Sequence, residues 1–272
     1  MDDMMLLATM AGVLLALGAF AGVLAGLLGV GGGIVLVPGF FYVFGALGFD
    51  SPQLMQLCLG TSLATIIVTS LRSAAAHHKR GAVDRDILKG WAVGIALGAS
   101  VGVAVAAYLR SEALQAIFGI LAALVGLYMA FGKSGWRLGQ QMPGGVMRAV
   151  LSPVLGFLSV LMGIGGGSFG VPTMTLFNVP IHRAVATAAG FGVIIAVPSV
   201  IGFMLVDLEV APPFTLGAVN FLAFGLIVAM TLITAPWGAA LAHRLDAGPL
   251  KRVFGVFLIL VALNMLRKAL VG

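Results

Sequence analysis

Gly29-Val30-Gly31-Gly32-Gly33, with Pro38 five residues on, is matched by Gly163-Ile164-Gly165-Gly166-Gly167, with Pro172 five residues on. The offset is 134 residues. Each run sits in apolar sequence, and adjacent glycines stop a helix. A helix stopped in hydrocarbon leaves N–H and C=O groups unpaired. Such a break survives only inside protein or beside a water-filled cavity.

Further matches extend outward. Gly81-Ala82-Val83-Asp84 corresponds to Gly217-Ala218-Val219-Asn220 at an offset of 136, as Phe118-Gly119 does to Phe254-Gly255. This is an internal duplication, too long for a solenoid repeat. It fits the duplicated halves of a secondary transporter. The expected division is a first repeat at 1–132, a cytoplasmic linker at 133–145 and a second repeat at 146–272.

Composition agrees with a membrane protein. Of 272 residues, 61% are apolar and 9% charged, against about 25% charged in soluble chains. Mean hydropathy is +1.15. A soluble enzyme, a disordered chain and a nucleic-acid module are excluded on this ground. The net charge of +6 therefore reads as cytoplasmic loop charge rather than a nucleic-acid footprint. The single cysteine, Cys58, rules out an intrachain disulfide. The first residues lack the basic stretch of a signal peptide, so the first apolar segment is expected to be retained.

Ten apolar segments emerge, at about 6–28, 33–47, 54–76, 88–109, 113–131, 147–163, 168–178, 184–206, 214–241 and 250–271. Eight can span a bilayer, some only with tilt, whereas 33–47 and 168–178 are too short. The expected fold is an all-α polytopic membrane protein. It has two repeated, inverted halves, each with a glycine-broken helix or re-entrant hairpin, giving about eight full transmembrane helices plus two half-helices. Inversion follows from loop charge. If each broken pair turns back, one face receives 11 of the 15 Lys+Arg and the other receives three, with Arg72 inside a helix. Eight single crossings would distribute them less unevenly. The positive-inside rule prefers the first arrangement, with the Lys79–Lys89 loop cytoplasmic and both termini outside.

The breaks are the first candidate binding elements. A half-helix starting near Ile34 or Ser168 offers free N–H donors and a partial positive charge, which suits an anion. Gly31, Gly32, Gly33 and Ile34 form one such site, and Gly165, Gly166, Gly167 and Ser168 the other. The plainer reading of the glycines is close helix packing. Hydroxyls come second: Thr61 and Ser62, and Thr187 at an offset of 126 from Thr61. Their plainer role is bonding back to their own helix. Arg72 could pair with an oxyanion or snorkel to the surface. His77 and His78 read as interfacial or as proton shuttles. All nine carboxylates fall in loops or at segment ends, so proton coupling through a midplane carboxylate is not expected. Gly166-Gly167-Ser168-Phe169-Gly170 also matches the G-x-S-x-G nucleophile elbow, but outside the strand–turn–helix context that the motif needs.

Taken together, the paired glycine runs with their prolines, Gly60-Thr61-Ser62-Leu63 and the Gly81-Ala82-Val83-Asp84 turn make the chain similar to the sulfite exporter TauE/SafE family. The second half departs at Ala186-Thr187-Ala188, where Gly-Thr-Ser is the closer match. The resemblance implies a multi-pass protein of the bacterial inner membrane, with about eight helices from a duplicated four-helix unit. It also implies movement of sulfite, sulfonates or related organic anions. The expected function is therefore secondary export of a small organic or sulfur oxyanion such as sulfite or sulfoacetate, by alternating access. An anion channel and a non-transporting membrane scaffold are the alternatives. The expected partners are a small anionic substrate and the lipid bilayer, with no nucleic acid, cofactor or metal. Assembly into a homo-oligomer is left open.

Overall fold

The computed structural model describes residues 3–28, 32–132, 136–242 and 247–271. The described residues form ten helices, which fall close to the ten apolar segments. They are α1 (Asp3–Leu28), α2 (Gly33–Ala46), α3 (Leu54–Lys79), α4 (Arg85–Tyr108), α5 (Ser111–Phe131), α6 (Gly145–Leu161), α7 (Gly167–Leu176), α8 (Ile181–Phe203), α9 (Phe221–Ala242) and α10 (Ala247–Val271). A two-residue hairpin, β1 (Thr215–Leu216) and β2 (Val219–Asn220), precedes α9. Among the described residues, seven helices contain a span long and apolar enough to cross a membrane. The sequence predicts eight; α6, at 17 residues, is shorter because its last turn ends at the glycine break. The chain is an all-α, multi-pass membrane protein.

Side-chain and backbone neighbours fix the direction of each helix. Gly18, Gly22 and Gly26 of α1 meet, in order, Ile227–Met230, Thr231–Thr234 and Ala235–Ala239 of α9, so α1 and α9 run the same way. Gly32 lies beside Ala21, and Gly39 beside Leu17. Hence α2 folds back along α1. The Gln56 side-chain amide donates to the carbonyls of Ala106 and Leu109, and Ser111 N–H donates to Pro52 O at 2.9 Å. The starts of α3 and α5 and the end of α4 thus share one face, here the terminal face. On the other face, the linker face, Leu138 N–H donates to Leu176 O at 2.7 Å, and Arg183 pairs with Asp84 at 2.9 Å. Gln53 and Glu209 meet back at the terminal face. The first half therefore starts at the terminal face and the second at the linker face, so the repeats are inverted.

The halves are interlaced rather than side by side. First-half α1 packs mainly on second-half α9, and second-half α6 on first-half α4. The on-axis pairs, α3 with α8 and α5 with α10, also cross the repeat boundary. Small residues line these seams. Gly94, Gly98 and Gly102 of α4 face Ser152, Pro153 and the Phe157–Val160 turn of α6. Spacing by four puts them on one stripe, which lets backbones approach closely in the absence of a hydrophobic drive between helices. Polar caps start the fourth helix of each half. Asp84 Oδ1 accepts Ile87 N–H at 3.1 Å, and Asn220 Oδ1 accepts Ala223 N–H at 2.8 Å. Each cap satisfies one of the N–H groups that a helix start leaves open.

Candidate functional site

α2 starts at Gly33 and α7 at Gly167, and the start of α2 meets the end of the α6 stop at Gly163 and Ile164. A methyl group on Gly33 would lie 2.7 Å from Gly163 O and 3.2 Å from Ile164 Cα. Ile66, near the middle of α3, flanks the contact. Gly31 lies outside the described residues; Gly32, Gly33 and Ile34 are at the start of α2. Close packing and helix breakage coexist here. A methyl on Gly166 would lie 2.5 Å from Ala188 O, and one on Gly163 would lie 2.7 Å from Val37 Cγ2.

The chain leaves α6 with the carbonyls of Leu158, Ser159 and Val160 satisfied. Gly163 takes a φ of +60°, which glycine adopts without strain. Ile164 N–H then reaches back to Ser159 O at 3.0 Å and Gly163 N–H to Val160 O at 2.8 Å, the bonding of a Schellman stop. The start of α7 is different. Among the described residues, the N–H groups of Gly165, Gly166, Gly167, Ser168 and Phe169 reach no acceptor. The Ser168 hydroxyl, on a residue 2% exposed, also has no partner. Six open donors therefore gather at the positive end of a half-helix, on residues that are buried (Gly165, Gly166, Ser168) or half-buried (Gly167, Phe169). Bare buried donors are costly, and an anion would satisfy them.

The predicted hydroxyls are brought to this region, but most are already engaged. Ser62 donates to Gly163 O at 2.7 Å, tying α3 to the opposite break. Thr61 accepts Asn220 N–H at 3.0 Å, and Thr187 accepts Asp84 N–H at 2.9 Å. Both bonds cross the repeat boundary. Thr65 and Thr69 donate to carbonyls of their own helix. Arg72 is exposed on the linker side of α3, with no hydrogen bond or ion pair among the described residues. His78 Nε2 lies 3.1 Å from Arg85 Nη2. Ser168 opens a helix between membrane helices, not a strand-to-helix elbow. Among the described residues, the buried polar side chains are Gln, Ser, Thr and Asn, with no carboxylate.

Three contributors are not marked as site residues by the sequence. Asn220 and Asp84 stand out there only as a repeat match. Pairing that match with the Thr61/Thr187 match across the two halves is the signal that would assign their role. Ser70 sits beside Gly165 and Gly192, where a methyl on Gly165 would be 3.8 Å from its Oγ; no spacing rule marks it.

Cover is uneven along the central pair. α3 is buried throughout 54–66, half-buried at 67–70 and exposed at Leu71 and Arg72. α8 is exposed at 181–183 and mostly buried from Ala186 to Phe203. Both helices are thus better covered toward the terminal face than toward the linker face.

The sulfite exporter TauE/SafE family matches this chain over residues 14–265. The chain belongs to that family. A Haemophilus influenzae relative named "Probable membrane transporter protein" is 31% identical, over 93% of this chain and 97% of its own length. The Bacillus subtilis protein "Probable membrane transporter protein YunE" is 29% identical, over 93% and 96%. A Methanocaldococcus jannaschii relative with the same descriptive name is 26% identical, over 81% and 82%. No solved structure matches. As a TauE/SafE protein with seven apolar spans among its described residues, the chain is a multi-pass membrane transporter.

Proposed function

We propose that this TauE/SafE protein exports a small sulfur or organic oxyanion, of the sulfite, sulfonate or sulfoacetate type, by alternating access across a bacterial inner membrane. The observation that carries the reading is the set of unpartnered donors at Gly165–Phe169 with the Ser168 hydroxyl. A pyramidal sulfite or a tetrahedral sulfonate presents several acceptors to such a set and is favoured by the α7 dipole. Because no carboxylate is buried among the described residues, the anion's charge would cross uncompensated. Leaving a negative interior then gains about 2.3 kcal/mol per charge per 100 mV.

Charge and cover support export as the direction. The linker face holds most of the loop Lys+Arg and is therefore cytoplasmic. It is also the less covered side of α3 and α8. The anion would reach the α7 donors from there. Interlacing argues that the rocking bodies are not the sequence halves. One body would be α1, α2, α3 and α9, and the other α6, α7, α8 and α4, sliding at the α3–α8 seam.

Flux in liposomes tests the reading. Sulfite, sulfoacetate, sulfate and acetate are supplied in turn at imposed potentials. Saturable, voltage-dependent flux selective among the anions supports it. Flux indifferent to both anion and voltage overturns it.

A further inference from the structure

A cavity of about 760 Å³ opens at the terminal face, between the outer end of α2, the starts of α3 and α5, and the end of α10. It is remote from the α7 donors: Phe41, on its wall, is eight residues along α2 from Gly33, a rise of roughly 12 Å. Four charged side chains line it: Asp50, Glu112, Arg267 and Lys268. The loops and helix ends of this face carry three basic residues, Arg110, Arg267 and Lys268. Two of the three converge on this cavity.

No pair among these four charges neutralises itself. Among the described residues, the ion pair of Glu112 is with Arg110, at 3.4 Å and largely exposed. Lys268 Nζ lies over the rings of Phe41 and Tyr42, at 5.2 and 4.9 Å from their centroids. Those contacts hold an ammonium in place without cancelling its charge. Arg267, next to it on α10, and Asp50 form no ion pair among the described residues. The carboxylates come from the α2–α3 loop and α5, the cations from α10. A guest of one sign would be attracted by one pair and repelled by the other. A guest carrying both signs is attracted by both. Gln115, 6% exposed on the wall, adds an amide able to serve either end.

We propose that this cavity binds a zwitterion with an oxyanion at one end and an ammonium at the other, a phosphoethanolamine-type group. The oxyanion would lie at Arg267 and Lys268 and the ammonium at Asp50 and Glu112. Such a group is available as a free solute and as the headgroup of a phospholipid in the adjoining leaflet.

The test uses the purified full chain in two arms. In the first, calorimetry compares O-phosphoethanolamine with inorganic phosphate and with ethanolamine. The zwitterion is expected to bind about tenfold more tightly than either half. In the second, nanodiscs containing phosphatidylethanolamine and phosphatidylglycerol are opened in native mass spectrometry, and retained lipid is identified. Lys268→Gln and Asp50→Asn are each expected to weaken the effect about fivefold or more in whichever arm shows it. Lys89→Gln, on the linker face, is expected to change neither. Arg267→Gln and Glu112→Gln replace any variant that fails to fold. Free binding assigns a solute, and selective retention of phosphatidylethanolamine without free binding assigns the headgroup. Binding of phosphate or ethanolamine alone as tight as the zwitterion overturns the proposal. So does indifference to the variants, or no binding and no retention.

Discussion

The Thr61 hydroxyl accepts the backbone N–H of Asn220 at 3.0 Å, with Asn220 fully buried. The inverted repeat places the same bond at the other face, from Asp84 N–H to Thr187 at 2.9 Å. Each is a clamp between a central helix of one half and the cap residue of the other. The terminal-face clamp closes with a neutral, buried asparagine. The linker-face clamp closes with an aspartate that also faces an exposed arginine.

Removing the hydroxyls should rank the two clamps. Thr61→Val leaves Asn220 N–H buried without a partner, a loss of about 1–3 kcal/mol. Thr187→Val should cost less, because Asp84 is only half-buried and water can replace the acceptor. Thr→Ser at either position should restore most of the loss. Denaturation of the purified variants in one detergent reads the order. Equal losses at the two positions would contradict it.

The Asp84 side chain is expected to matter as a cap more than as a charge. Its Arg183 partner is 53% exposed, and an ion pair this open contributes under about 1 kcal/mol. Asp84→Asn keeps an oxygen for Ile87 N–H and makes the site resemble its repeat mate Asn220. Stability should change little. Asp84→Ala should lose about 1 kcal/mol. If the two variants fall equally, the charge is what holds the turn.

These clamps also show where the sequence is readable and where it is not. The ten segments are legible because hydrocarbon demands long apolar runs. Inversion is legible because loop charge is counted, not packed. The break at 163–167 is legible because adjacent glycines have few other uses in a membrane helix. Interlacing is not. Nothing in Gly18, Gly22 and Gly26 says that their partner is α9 rather than a helix of their own half. The engagement of Thr61, Ser62 and Thr187 is equally hidden, since a hydroxyl on a helix face looks the same whether it meets a solute, its own carbonyl or a neighbour's backbone. Arg72 stands out in sequence as the lone basic residue within a span, which leaves open whether it meets an anion or snorkels to the surface; in the fold it is exposed toward the linker face.

Glycines should divide sharply by neighbourhood. A methyl group on Gly12 would meet nothing within 4 Å, whereas one on Gly33 would face the Gly163 carbonyl at 2.7 Å. Gly12→Ala should be neutral or stabilising by up to about 1 kcal/mol, from helix propensity. Gly33→Ala should force the two breaks apart, lowering stability and abolishing anion flux. Thermal midpoints and liposome flux together check this. A silent Gly33→Ala would mean that the breaks do not have to touch.

Ser168→Ala separates a binding role from a packing role. The hydroxyl is buried and unpartnered, so the folded protein without anion gains nothing from it. Replacing it with a methyl removes a desolvated polar group, and the midpoint should stay or rise. An anion at the α7 donors would lose one hydrogen bond, worth about 1.5–3 kcal/mol when one partner is charged. That corresponds to roughly a tenfold or larger loss of affinity. The diagnostic result is opposite movement: intrinsic stability level or higher, with the stabilisation produced by added sulfite reduced. If Ser168→Ala lowers stability and leaves the anion response intact, the hydroxyl serves the fold and the anion lies elsewhere.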